Sequence, residues 1–231
     1  MSFRRTTPAL LSLLLLGPVA CAPSQAAEAP RWSEPSVSAS PTPPKPRPAP
    51  TSTAEVRSRV TAAMLNLDAK FHPETAQYTD ENTEAWKLIS LCKASLPSDI
   101  KRTAYRERIW DGESVWVRQY VVGYLKVPGR KLADELRSVL STCKEYEVPD
   151  DGRTSTILRP SPPPLPDGPD VITFCERLSG KAIRHQCTLV LVRGNFVMQV
   201  DAAASNGDLA GGSALIAKIA PLAVAAFEKA A

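Results

Sequence analysis

IRHQCTLVLVRGNFVMQVDA, residues 183–202, places two runs of strand-forming residues on either side of Arg193-Gly194-Asn195-Phe196. A short loop of Gly and Asn between apolar runs is a strong local hairpin signal. With Gly194 and Asn195 as the loop, Leu191 opposes Met198 and Leu189 opposes Val200. Side chains alternate along a strand, so Leu189, Leu191, Phe196, Met198 and Val200 share one face, with Cys187 in the same row. The other face carries Thr188, Gln199 and Asp201 among Val190, Val192 and Val197.

Working outward, residues 171–178 pair with 183–193, and residues 103–110 and 114–125 flank a turn at Asp111-Gly112. Helical spacing accounts for the rest. Ser52-Thr53-Ala54-Glu55 is a capping box that opens a helix with Val56, Val60, Ala63, Met64 and Leu67 on one face. A second helix is expected over residues 82–96, with the stripe Ala85, Leu88, Ile89, Cys92 and Leu96. A third follows Pro128-Gly129 and uses Leu132, Leu136, Val139, Leu140 and Cys143. A fourth starts near Asp208 and uses Ile216, Ile219, Ala223 and Phe227; Pro221 is expected to kink or split it, because it removes a rung of the hydrogen-bond ladder. The expected class is α+β, an antiparallel sheet with helices packed on one face. Residues 148–170 hold Pro160, Pro162, Pro163, Pro164, Pro166 and Pro169 and read as a long exposed loop.

Upstream the chain changes character. Arg4 and Arg5 precede an apolar run at residues 9–16, followed by Val19-Ala20-Cys21. A run of about eight to twelve apolar residues falls short of the roughly 20 that span a bilayer, so residues 1–20 read as a removable signal. A small residue before Cys21 fits a bacterial lipoprotein whose cysteine carries palmitate or a similar chain. Pro18 stands where leucine is usual, and ordinary cleavage within Ala20-Cys21-Ala22 is the alternative. The Arg4-Arg5 pair resembles a twin-arginine signal, but Thr6, Thr7 and Pro8 follow it. Residues 21–52 then form a tether with nine prolines between Pro23 and Pro50. Such a segment favours extended polyproline II at about 3.1 Å per residue, roughly 90 Å in all. The folded domain spans residues 53–231, and the expected location is the extracytoplasmic face of the cell membrane, lipid-anchored, with free secretion as the alternative.

The chain's formal charge of +4 falls to +2 when Arg4 and Arg5 leave with the signal, a balance that argues against nucleic-acid binding. The Ala-rich C-terminus contains Asp208, Lys218, Pro221 and Glu228 and reads as a packed helix. Besides Cys21 there are four cysteines, an even number that favours disulfides in an exported chain. Cys92 and Cys143 each lie on the apolar stripe of a helix, and Cys175 and Cys187 sit symmetrically about a turn at residues 179–182. The expected bridges are therefore Cys92–Cys143 and Cys175–Cys187. There is no Cys-x-x-Cys motif, and neither histidine lies at ligand spacing from a cysteine pair, so neither redox chemistry nor a metal is expected.

The usual catalytic signatures are missing too. No Gly-x-Ser-x-Gly elbow accompanies His72 or His185, and no phosphate loop or dinucleotide fingerprint is present. Ser90-Leu91-Cys92-Lys93 matches the Ser-x-x-Lys of penicillin-recognising enzymes, but it lies mid-helix and lacks the companion Lys-Thr-Gly. Asp80-Glu81 and Asp150-Asp151 read as solvated loop charges. Trp110, Trp116, Tyr105, Tyr120 and Tyr124 gather at the first hairpin, with Trp116, Tyr120 and Tyr124 on one strand face. They read either as sheet packing or as an aromatic groove for an apolar or glycan ligand, centred on Trp110, Trp116 and Tyr120. Arg106, Arg108 and Arg118 would give such a groove an anion-binding rim.

Over residues 53–231 these features together resemble the PknH-like extracellular sensor domain family, found on some actinobacterial receptor kinases and in free-standing lipoproteins. The resemblance rests on the order of elements and on Cys92-Lys93-Ala94-Ser95-Leu96-Pro97 closing one helix. Cys143 closing the next helix, the Cys175/Cys187 pair, the hairpin Leu191-Val192-Arg193-Gly194-Asn195-Phe196-Val197 and the small-residue C-terminal helix complete it. It implies an antiparallel sheet, helices on one side, two disulfides and a cleft proposed to bind an unknown ligand. The chain departs from receptor kinases in having no kinase domain or transmembrane helix, so any signalling is expected to pass through a partner. The expected function is a non-enzymatic envelope lipoprotein that binds an envelope ligand or a membrane protein, with no cofactor. The alternatives are a cell-envelope hydrolase and a structural spacer docking a membrane protein.

Overall fold

The hairpin of residues 183–202 lies inside the sheet of the computed structural model, which describes residues 47–67, 75–80, 88, 91–112, 115–148, 152–159, 165, 168–180 and 183–231. The signal, Cys21, most of the tether, His72 and most of the helix expected at residues 82–96 lie outside the described residues. The elements run α1 (Thr53–Ala62), β1 (Thr75–Asp80), β2 (Ala104–Asp111), β3 (Val115–Gly123), α2 (Gly129–Thr142), β4 (Glu145–Glu147), β5 (Thr154–Leu158), β6 (Asp170–Ser179), β7 (Arg184–Arg193), β8 (Phe196–Ala204) and α3 (Leu209–Phe227). All the strands join one antiparallel sheet in the order β1-β2-β3-β8-β7-β6-β5-β4.

β7 and β8 take the expected register, with Leu191 opposite Met198, Leu189 opposite Val200 and Thr188 opposite Asp201. Gly194 makes the turn with φ at +55°, a conformation that costs a glycine nothing. The turn is also anchored: the Tyr124 N–H donates to the Asn195 carbonyl at 2.9 Å, and the Gly129 N–H to the Gly194 carbonyl at 2.7 Å.

Leu189, Leu191, Phe196, Met198 and Val200 form one core with α1 and α3, joined by Val56 and Val60, Ile216 and Ile219, Ala223 and Phe227. Gly123 of β3 allows α1 to approach: a Cβ there would lie 2.9 Å from Phe196 Cε1 and 3.0 Å from Val60 Cγ2. Ser52 caps α1 as expected, accepting the Glu55 N–H at 3.2 Å. The Glu55 carboxylate accepts from the Thr51 N–H at 2.9 Å, one residue before the cap.

Helices therefore pack on the apolar face as expected, and a further helix lies on the opposite one. α2 sets Leu132, Ala133, Leu136 and Leu140 against Val190, Val192, Val197, Ile172 and Phe174. Topology requires this crossing: β3 ends in the middle of the sheet and β4 begins at its far edge. The chain must cover one face to get there.

Four other expectations change. Residues 91–93 form a short 3₁₀ turn, and Cys92 and Lys93 have φ of 53° and 56°. A helix therefore does not continue to Leu96. α3 runs through Pro221 without a break; that position is exposed, and the ring faces away from the sheet. The proline-rich segment 148–170 contains β5, which pairs with β6 through Ser155 opposite Leu178 and Ile157 opposite Glu176. Residues 75–80 add an edge strand paired to β2. Both expected cysteine pairs are in place: Cys92 and Cys143 have Cα atoms 6.1 Å apart, and Cys175 and Cys187 are direct cross-strand neighbours with Cα atoms 4.0 Å apart. α3 is long and apolar enough to cross a membrane, but its residues Leu215, Ile216, Ile219, Ala220, Ala223 and Phe227 are buried in the domain core.

Candidate functional site

The sheet face under α2 is apolar only where the helix covers it. Beyond the helix it becomes polar, and the change is visible along single strands. β8 passes from Val197 to Gln199 and Asp201, β7 from Val190 to Thr188, and β6 from Phe174 to Glu176. Asp201 is fully buried and is the hub of this region. Its Oδ1 accepts from the Thr188 hydroxyl at 2.8 Å and from Gln199 Nε2 at 2.8 Å. Its Oδ2 accepts from Arg118 Nη2 at 3.1 Å. Burial works against the Arg118 charge, but Asp201, Tyr120 and Glu107 together hold the guanidinium above its ordinary pKa. The Arg118 Cζ lies 4.7 Å from the centroid of Tyr120 and 5.4 Å from that of Trp116. Cation–π attraction thus fixes the arginine between the two rings while Asp201 holds its head.

Burial, helped by the Glu107 carboxylate, pushes the Tyr120 hydroxyl well above its ordinary pKa against the opposing pull of Arg118. On β6, burial raises the Glu176 carboxyl, opposed by the Tyr146 and Ser155 hydroxyls that donate to it at 2.5 Å and 2.8 Å.

Two residues further along each strand on this face the side chains open into a groove of about 460 Å³. Trp116 of β3, Ala203 of β8, Arg184 and Gln186 of β7, Leu178 of β6 and Arg153 line it, with Asp111 and Gly112 at one end. This volume lies within the range of small-ligand pockets, roughly 300–1,000 Å³.

Of the three expected ligand-binding residues, Trp116 lines the groove and Tyr120 lies two rows behind it, against Arg118. Trp110 does not join them. It pairs with Val117, which places it on the other face, fully buried in the core with α1. Arg106 and Arg108 share that other face, and Arg108 donates to the Leu65 carbonyl at 2.6 Å, so only Arg118 remains of the expected rim. Tyr124 is also structural: its hydroxyl donates to the buried Asp99 at 3.0 Å. Arg153, Leu178 and Arg184 were not singled out from the sequence. They come from β6, β7 and the approach to β5, and only the sheet order brings them beside Trp116.

His185 also borders the groove, together with Ser205 and Asp111. Its Nδ1 lies 2.8 Å from the Gly207 carbonyl, to which it must donate. Among the described residues no group of three His, Cys, Asp or Glu side chains is placed to hold a metal ion.

The architecture is that of an α+β domain with one antiparallel sheet and two cysteine pairs. The same fold is seen in the crystal structure of the extracellular domain of PknH from Mycobacterium tuberculosis, with a TM-score of 0.51 and 18% sequence identity. That comparison covers 75% of this chain and 96% of the PknH domain. An X-ray structure of an uncharacterized protein from Mycobacterium smegmatis, the Rv0999 ortholog, aligns with a TM-score of 0.43 at 14% identity, covering 77% of this chain and 97% of the other. No protein-family model matches the sequence, and no curated protein matches it.

Proposed function

We propose that this chain is a non-enzymatic, extracytoplasmic lipoprotein whose domain binds a small envelope ligand in the groove beside Trp116. The groove carries the reading: it is open, of ligand size, and walled by a tryptophan whose neighbours are held in place by a buried charge network. The location is supported by the signal and Cys21, by the two cysteine pairs, and by a fold shared with a domain described as extracellular. A non-catalytic role is supported by His185, whose Nδ1 is engaged by the Gly207 backbone carbonyl.

Two measurements test the reading. In the producing bacterium, Cys21→Ser should move the protein from the membrane fraction to the medium, since stable anchoring depends on the acyl chains. Unchanged membrane retention would rule out the lipid anchor. In thermal melts against envelope lipid headgroups, glycans and peptidoglycan fragments, at least one class should raise the Tm of the native protein. The same class should leave Trp116→Ala unshifted. A panel that shifts neither protein would remove the ligand-binding role.

A further inference from the structure

We infer that the groove is built for a small molecule that joins a flat apolar ring to an acidic group, a phosphate or a carboxylate. This inference rests on the groove being a ligand site. The apolar part follows from Trp116, which is partly exposed in the groove wall with Leu178 and Ala203 as further apolar lining. Arg118 stacks against the Trp116 indole and fixes its orientation. A ring laid on this indole gains offset stacking on a surface that is already organised.

The acidic part follows from Arg184. Arg118 is neutralised by Asp201, so it adds little net charge to the space in front of it. Arg153 and Arg184 both line the groove, with Asp111 at one end. Arg184 is exposed at the first residue of β7, with no carboxylate partner among the described residues. A guanidinium in that position offers paired N–H donors of the geometry that phosphate and carboxylate oxygens accept. Gln186 and Ser205 add uncharged polar groups along the same wall. The volume suits one or two rings with their substituent and excludes a folded polymer.

The test uses the full-length mature protein and four probes in calorimetric titration: 2-naphthyl phosphate, 2-naphthoate, the neutral 2-naphthyl glucoside and inorganic phosphate. The two naphthyl anions should bind more tightly than either the glucoside or phosphate alone, and their affinity should fall as salt is raised. Arg184→Ala should weaken them roughly tenfold or more, the scale of one charged hydrogen-bonding group. Arg184→Glu should weaken them further. Arg130→Ala, on α2 and away from the groove, should leave binding unchanged. Arg184 is exposed, so the melting point of each variant should match the native one and exclude misfolding as the cause. Equal binding of glucoside and anions, unaffected by Arg184→Ala, would overturn the acidic group while leaving the groove as a ligand site. Phosphate alone binding as well as the naphthyl anions would overturn the ring. Failure of all four probes would overturn the inference, and the groove reading stands or falls separately on the Trp116→Ala melts.

Discussion

Asp201→Ala is expected to lower the stability of the domain by about 3–5 kcal/mol, the usual cost of removing one partner from a buried ion pair. Asp201 is fully buried, and Arg118, Thr188 and Gln199 all donate to it. Its loss leaves a half-buried guanidinium without its counter-charge, and a buried hydroxyl and amide without their acceptor. For a domain of this size the fall in Tm should be roughly 6–20 °C. Asp201→Asn keeps the shape but not the charge and should fall between the two. A double variant with Arg118→Met should lose less than the sum of the single changes, because removing both charges leaves neither unpaired. Thermal and urea melts of the native protein, the three single variants and the double variant decide it. A loss of under about 1 kcal/mol for Asp201→Ala would show that water already satisfies this network.

The second large effect is at Cys92–Cys143. The two residues are 51 apart in sequence, and the chain-entropy view gives a bridge of that span about 4 kcal/mol. Cys92 and Lys93 also hold positive φ, which costs a non-glycine residue of order 1 kcal/mol or more each, so the turn depends on outside support. The bridge to the end of α2 supplies it, alongside Leu91, which packs into the core beneath that helix. Replacing both cysteines by alanine should shift the urea midpoint strongly. The Cys175–Cys187 pair closes a span of only 12 and should cost about 3 kcal/mol by the same reasoning. A larger loss at Cys175–Cys187 than at Cys92–Cys143 would show that local sheet packing outweighs loop closure here.

What could be read from the sequence was what neighbouring residues decide together. The register of β7 on β8 follows from a two-residue turn and alternation, and the structure has it at every quoted pair. Both cysteine pairings followed from faces and spacing. The candidate site was harder to read because it depends on contacts that the chain closes late. Arg118 and Asp201 are 83 residues apart, and nothing local announces that β3 lies against β8. The placement of Trp110 turned on parity: Asp111 opposes Trp116, so Trp110 and Trp116 face opposite ways. β5 was concealed by the prolines around it, since Thr154–Leu158 is a short run that gains its hydrogen bonds only once β4 and β6 lie beside it. α2 crossed to the second face because of the strand order, which its own amphipathic pattern does not encode.

The position of the two ends of the folded domain has a practical consequence. Arg47 donates to the Lys229 carbonyl, just past the C-terminal end of α3, near the Gly194 turn. The groove opens by Ala204 and Arg184, where α3 starts, a helix length of roughly 28 Å away. Immobilising the domain on a sensor chip through either end should leave the mouth unobstructed. A dye or fusion partner placed at Ser205 should shut it.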